Sequence, residues 1–150
     1  MTRRLILTLV LTVAIPSLAS AQQDFSKAVI KTFDLDTVTS LLQQEGLKHE
    51  LVLKMADKHV AIFERTEGTT LVGGRQVPLI RVVTFHFEKA RTGTRVIATE
   101  ELVARQPGGA ETPIKIDINS RATDLQDLLL AAKAKSMPAG AAPDSSASSQ

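Results

Sequence analysis

Three histidines, His49, His59 and His86, are the side chains of this 150-residue chain best suited to proton transfer or metal binding. Either role needs two or three of them to converge with carboxylates. Their spacing matches no ligand motif. His49 and His59 flank the segment that reads as the first hairpin, where a meeting across it would permit a weak metal site. His86 alternates with Phe85 and Phe87 on a strand and so points away from both, to a sheet position open to solvent. Glu100 and Glu101 are the only adjacent carboxylates. Neighbours on a strand face opposite ways, so the two cannot act on one substrate atom. Asp124 and Asp127 share a helix face, but their place in a first turn is explained by the helix dipole. Gly73-Gly74-Arg75 lacks the strand-to-helix context and the Lys-Ser/Thr of a phosphate loop and reads as a hairpin or surface loop. No serine stands in a G-x-S-x-G elbow or an S-x-x-K pair. No cofactor, metal or catalytic residue is therefore expected.

What remains is charge. Arg81, Arg91, Arg95 and Arg105 lie on or beside a long hairpin with Glu88, Glu100 and Glu101, a pattern that predicts cross-strand pairs on a solvated face. Arg81, His86, Arg95 and Glu100 mark the candidate interaction face, suited to a protein partner.

The elements that would position these residues follow from periodicity. Leu35, Val38, Leu41 and Leu42 form one helical stripe, with Asp34 or Asp36 as cap and Gly46 as the residue that ends the helix at positive φ. Leu47, Leu51, Leu53 and Met55 then alternate with polar positions, a strand. Ala56-Asp57-Lys58 turns the chain into a second strand through Val60-Ala61-Ile62-Phe63. Glu67 to Gln76 reads as a glycine-rich loop, with Thr69 to Val72 as a possible extension of the hairpin. Val77 to Lys89 is the strongest strand signal, Arg95 to Arg105 its antiparallel partner, and Ile114 to Ile118 a short last strand. Thr123 caps a closing helix whose buried face is Leu125, Leu128, Leu129 and Ala132. The fold class is α+β: an antiparallel sheet of about five strands flanked by an N-terminal and a C-terminal helix, in two layers with both helices on one face. The opening pattern, Leu35 to Arg65, resembles the start of secretion-chaperone-like α+β domains; it includes no diagnostic motif, and no residue role follows from it.

The ends of the chain carry an address. Met1-Thr2-Arg3-Arg4 precedes an apolar run from Leu5 to Ile15, then Pro16, then small residues at Ala19 and Ala21. This is the pattern of a cleavable export signal, with cleavage between Ala21 and Gln22. The run is roughly half the ~20 residues of a membrane-spanning helix, so no stable membrane anchor is expected after cleavage. With no cysteine there is neither a lipidation site nor a disulfide, which favours a bacterial periplasmic address over a eukaryotic secreted one. Losing Arg3 and Arg4 from the 18 basic residues balances the 16 acids, leaving no charge excess to hold nucleic acid. Residues 22–136 suit a single domain. From Met137 to Gln150 small, polar and proline residues read as a disordered tail.

Export, neutrality and the lack of convergent reactive groups point to a non-enzymatic accessory or protein-interaction domain. The alternative is a carrier that encloses a small hydrophobic ligand or lipid, because the strands are rich in large aliphatics. A hydrolase is third; its signature would be two or three of these polar residues converging in one cleft.

Overall fold

A computed structural model describes residues 26–114 and 122–137. The expected export signal, Lys115 to Ile118 of the expected last strand, and the expected tail beyond Met137 lie outside these residues.

The chain opens with a strand that periodicity did not mark, β1 (Ser26–Ile30), in which Ser26, Ala28 and Ile30 are buried and Lys27 is exposed. Helix α1 (Leu35–Lys48) follows, capped by Asp34, whose carboxylate accepts the backbone N–H groups of Asp36 and Thr37. Next come β2 (Val52–Ala56), β3 (Val60–Val72), β4 (Arg75–Ala90), β5 (Gly93–Arg105), the short β6 (Glu111–Ile114) and helix α2 (Ala122–Lys135). Every pairing is antiparallel, in the order β1-β5-β4-β3-β2, with β6 pairing with Leu102 to Arg105 of β5 while β1 pairs with Thr94 to Ala98. The fold class is α+β, with one strand more than expected.

One face of this sheet carries the core. Ala61 and Phe63 on β3, Val83, Phe85 and Phe87 on β4, and Val96 and Ala98 on β5 alternate inward. They pack with Val38 and Leu42 of α1 and Leu125, Leu128, Leu129 and Ala132 of α2. Both helices thus cover the same face. Phe63 and Phe85 meet edge to face, with ring centroids 5.3 Å apart at 88°, the arrangement that the ring quadrupole favours.

The structure corrects three local expectations. Gly46 does not end α1; it lies buried inside the helix, where an added Cβ would stand 3.4 Å from the Phe63 ring, at ordinary contact distance. The helix runs on through Leu47 and Lys48, because Leu51 and Glu50 donate back to the carbonyls of Gly46 and Leu47 at 2.9 and 3.1 Å and close the end as a Schellman motif. The positive-φ residue of that motif is Glu50, at 59°. Second, no loop separates β3 from β4. Val72 pairs with Arg75 across the two-residue turn Gly73-Gly74, whose φ values of 56° and 77° are those of a type I′ hairpin, and the ribbon extends through Thr69 to Val72. Third, α2 begins at Ala122, which puts Thr123 inside its first turn rather than at its cap.

Glu45 was not singled out by its sequence context, although it lies on the same side of α1 as Val38 and Leu42. It is buried between two lysines, Lys48 at 2.7 Å on its own helix and Lys135 at 2.6 Å on α2. The Lys135 ammonium, then Lys48, holds its carboxyl below the ordinary carboxylate range. A depressed folded-state value contributes stability above the unfolded carboxylate range and loses it as pH falls through the folded one. Both lysines are well exposed, so solvent screens the cluster and its worth is about 1 kcal/mol. Glu45→Gln is expected to lower the unfolding free energy by about that much at pH 7 and to match the parent once pH falls well below ~4. Paired urea titrations at the two pH values read this; a difference that persists in acid would sink it.

Candidate interaction surface

The two-residue period that buries Phe63, Phe85 and Val96 sends their neighbours to the other side of the sheet. No described helix covers that side. Register puts Ile97, His86 and Val60 in one row across β5, β4 and β3. Thr99, Thr84 and Ile62 form the next, continued on β2 by Met55 because the bulge between Leu53 and Met55 turns this side chain outward. Glu101, Val82, Glu64 and Val52 make a third. The centre is aliphatic and half-buried, and Val52 and Met55 at its β2 margin are 50% and 47% exposed.

Charges fence this face at two ends. At one, Arg95 and Glu88 lie opposite each other on β5 and β4 at 3.4 Å, both about half exposed. This is a solvated cross-strand pair of little energetic worth. At the other, Arg105 reaches diagonally across β4 to grip Glu64 with both Nη atoms at 3.0 and 2.6 Å, while its Nε donates to Glu111 at 2.8 Å. The hydrogen bonds from Arg105 pull the Glu64 carboxyl below its ordinary range, and those from Glu64 and then Glu111 raise the guanidinium above its own. That network lies across the row containing Ile80 and Val103, which are buried although they belong to the outer side.

The four residues of the expected interaction face therefore divide. His86 and Arg95 are exposed on the outer side. Arg81 and Glu100 are on the inner, helix-covered side, in phase with Val83 and Ala98, with side-chain exposures of 2% and 8%. Arg81 Nε stands 2.8 Å from Glu100 Oε1, placed as an ion pair rather than a straight hydrogen bond, and its Nη2 donates to Oε2 at 3.0 Å. Arg65 sits directly opposite Arg81 in the β3–β4 ladder. It is occupied elsewhere, donating to Glu67 and to the His49 carbonyl at the end of α1. The expected solvated pairing holds for Arg95–Glu88 and fails for Arg81–Glu100. The spacing already carried that signal: Arg81 is in phase with the inward Phe85 and Phe87.

The candidates for chemistry stay apart. His49 caps the C-terminus of α1 ahead of β2 and His59 follows the turn after it, so the five-residue strand, roughly 17 Å, separates them. Asp57 in that turn accepts the N–H groups of His59 and Val60 and is held below its ordinary range by those bonds. Among the described residues no group of three or more His, Asp or Glu is placed to hold a metal ion. What the outer side offers is an apolar surface with charged ends, the composition of a recognition patch. No protein-family model matches the chain, and no curated protein resembles it in sequence.

Proposed function

We propose that this chain is a non-enzymatic interaction domain of an exported protein, and that the uncovered side of its sheet receives a protein partner. The observation that carries the reading is the one-sided layering. A six-stranded sheet with both helices on one face leaves Val60, Ile62, Val82 and Ile97 as the aliphatic centre of the other. A half-buried patch of that kind, with exposed Val52 and Met55 at its margin and paired charges at its ends, supports association, with the apolar centre supplying affinity and the Arg95–Glu88 and Arg105–Glu64 ends supplying orientation. The leader-like N-terminus supports an extracytoplasmic setting.

The test compares the protein with an Ile62→Lys, Ile97→Asp variant, both tagged, expressed in a bacterial host and crosslinked mildly in the periplasmic fraction. The expected result is a mature mass beginning at Gln22 and a discrete crosslinked protein that the variant loses while keeping its circular dichroism. An identical set of crosslinks for both, or none above background, would remove the docking reading.

A further inference from the structure

At the end of the inner face, beyond the core, an open groove of about 490 Å³ lies between the start of α1 and the turn joining β2 to β3. Its floor is apolar. Phe87 is nearly covered, Leu35 is half-buried, and Phe33, in the link between β1 and α1, is 57% exposed. Thr94 holds this link in place by donating its hydroxyl to the Thr32 carbonyl at 2.8 Å. The backbone bond from Phe87 N–H to the His59 carbonyl, also 2.8 Å, fixes the opposite wall. Two exposed lysines stand on the rim, Lys58 in the turn and Lys89 two residues beyond Phe87 on the same face of β4.

Of the acids nearby, Asp36 is exposed in the first turn of α1 and the other three are committed. Glu88 lines the edge of the groove, with its carboxylate turned to Arg95 on the outer side. Asp57 turns its carboxylate onto the N–H groups of His59 and Val60, and Asp34 does the same at the cap of α1. Neither Lys58 nor Lys89 has an ion-pair partner among the described residues. An exposed phenylalanine over an aliphatic and aromatic floor, with two lysines at the lip that no carboxylate contacts and of which Lys58 feels Asp57 only through space, complements one kind of ligand: an apolar chain ending in an anion. The volume falls within the range of about 300–1,000 Å³ usual for small-molecule sites.

We propose that this groove binds a single-chain amphiphile with an anionic head, the chain lying along Phe33, Leu35 and Phe87 and the head between Lys58 and Lys89. The site lies on the opposite side of the sheet from the docking surface and does not depend on it.

Dodecanoate, below its micellar concentration, is the probe. Calorimetric titration of the purified protein is expected to saturate at one equivalent, to weaken by on the order of a thousandfold when dodecanoate is replaced by hexanoate and about tenfold when it is replaced by its own methyl ester, and to weaken about tenfold in the Lys58→Ala, Lys89→Ala variant. Because the chain has no tryptophan or tyrosine, Phe33→Trp supplies the single reporter, whose emission is expected to shift to the blue in step with the calorimetric curve. Circular dichroism during the titration distinguishes binding from unfolding. Absence of saturation overturns the proposal, as does unfolding by the probe, equal affinity for acid and ester, or an affinity that the lysine variant leaves unchanged.

Discussion

Arg81→Ala is expected to destabilise the domain by about 3–5 kcal/mol, a large fraction of the 5–15 kcal/mol typical of a whole domain, because it breaks a buried ion pair. With the guanidinium gone, the Glu100 carboxylate stays on the inner face at 8% exposure and loses both the ion pair and the hydrogen bond that Arg81 gives it. Glu100→Ala is expected to be worse. It would leave the Arg81 guanidinium, 2% exposed, without the carboxylate it pairs with, on a ladder position that already faces a second arginine, Arg65. The informative companion is the double replacement Arg81→Met, Glu100→Leu. Desolvating an ion pair offsets most of its attraction, so an apolar pair of similar volume is expected to recover nearly all of the loss. Urea titrations of the three variants check this. A single-residue loss below about 1 kcal/mol would show that the site stays hydrated in solution.

The second large effect belongs to Gly93, where β4 turns into β5. Its φ of 152° lies in a region that L side chains rarely adopt, and a Cβ there would sit 2.0 Å from the Ile30 carbonyl oxygen and 3.0 Å from the Thr32 nitrogen. Both obstacles are backbone atoms, and that carbonyl already accepts the Thr32 N–H at 2.8 Å. Relief requires moving the end of β1 away from β5. Gly93→Ala is therefore expected to cost at least about 3 kcal/mol and to speed amide exchange selectively along β1. Gly73→Ala is the control, since its Cβ would meet nothing within 4 Å and only the φ of 56° opposes it. About 1 kcal/mol is expected there. Equal losses at the two positions would show that the clash with β1 is relieved at no cost.

Much of this architecture is legible in local pattern because most of it is built from neighbours in sequence. The amphipathic stripe from Leu35 to Leu42, the alternation through Phe85 and Phe87 and the leucines of α2 each bury the face that their period predicts. β1 escapes detection for a physical reason: Ser26, Lys27 and Ala28 have weak strand propensity alone, and what makes them a strand is the ladder offered by Val96 and Ala98 on β5. The end of α1 is misread because Gly46 sits inside the helix against Phe63, while the turn that demands positive φ falls on Glu50. The charged residues divide along the same line. Arg95 and Glu88 read correctly because they are opposed on an exposed hairpin. Arg81 and Glu45 are polar residues in apolar phase, and Glu100, which pairs with Arg81, and Lys135, one of the two lysines on Glu45, lie on other elements. The groove was not legible at all, since Phe33, Lys58 and Lys89 come from three separated segments.

The placement of β1 also governs the order in which the chain can fold. β2 to β5 form a meander of hairpins, each closing on its immediate neighbour, but β1 finds its partner only after β5 exists, and the Lys27 N–H bonds the Gln126 side chain 99 positions along the chain. Long loops close slowly. A nascent chain that stops short of Gly93 has no seat for β1, so that strand cannot pair until Thr94 to Ala98 have emerged. A protein carried across a membrane as an unfolded thread would gain from that delay.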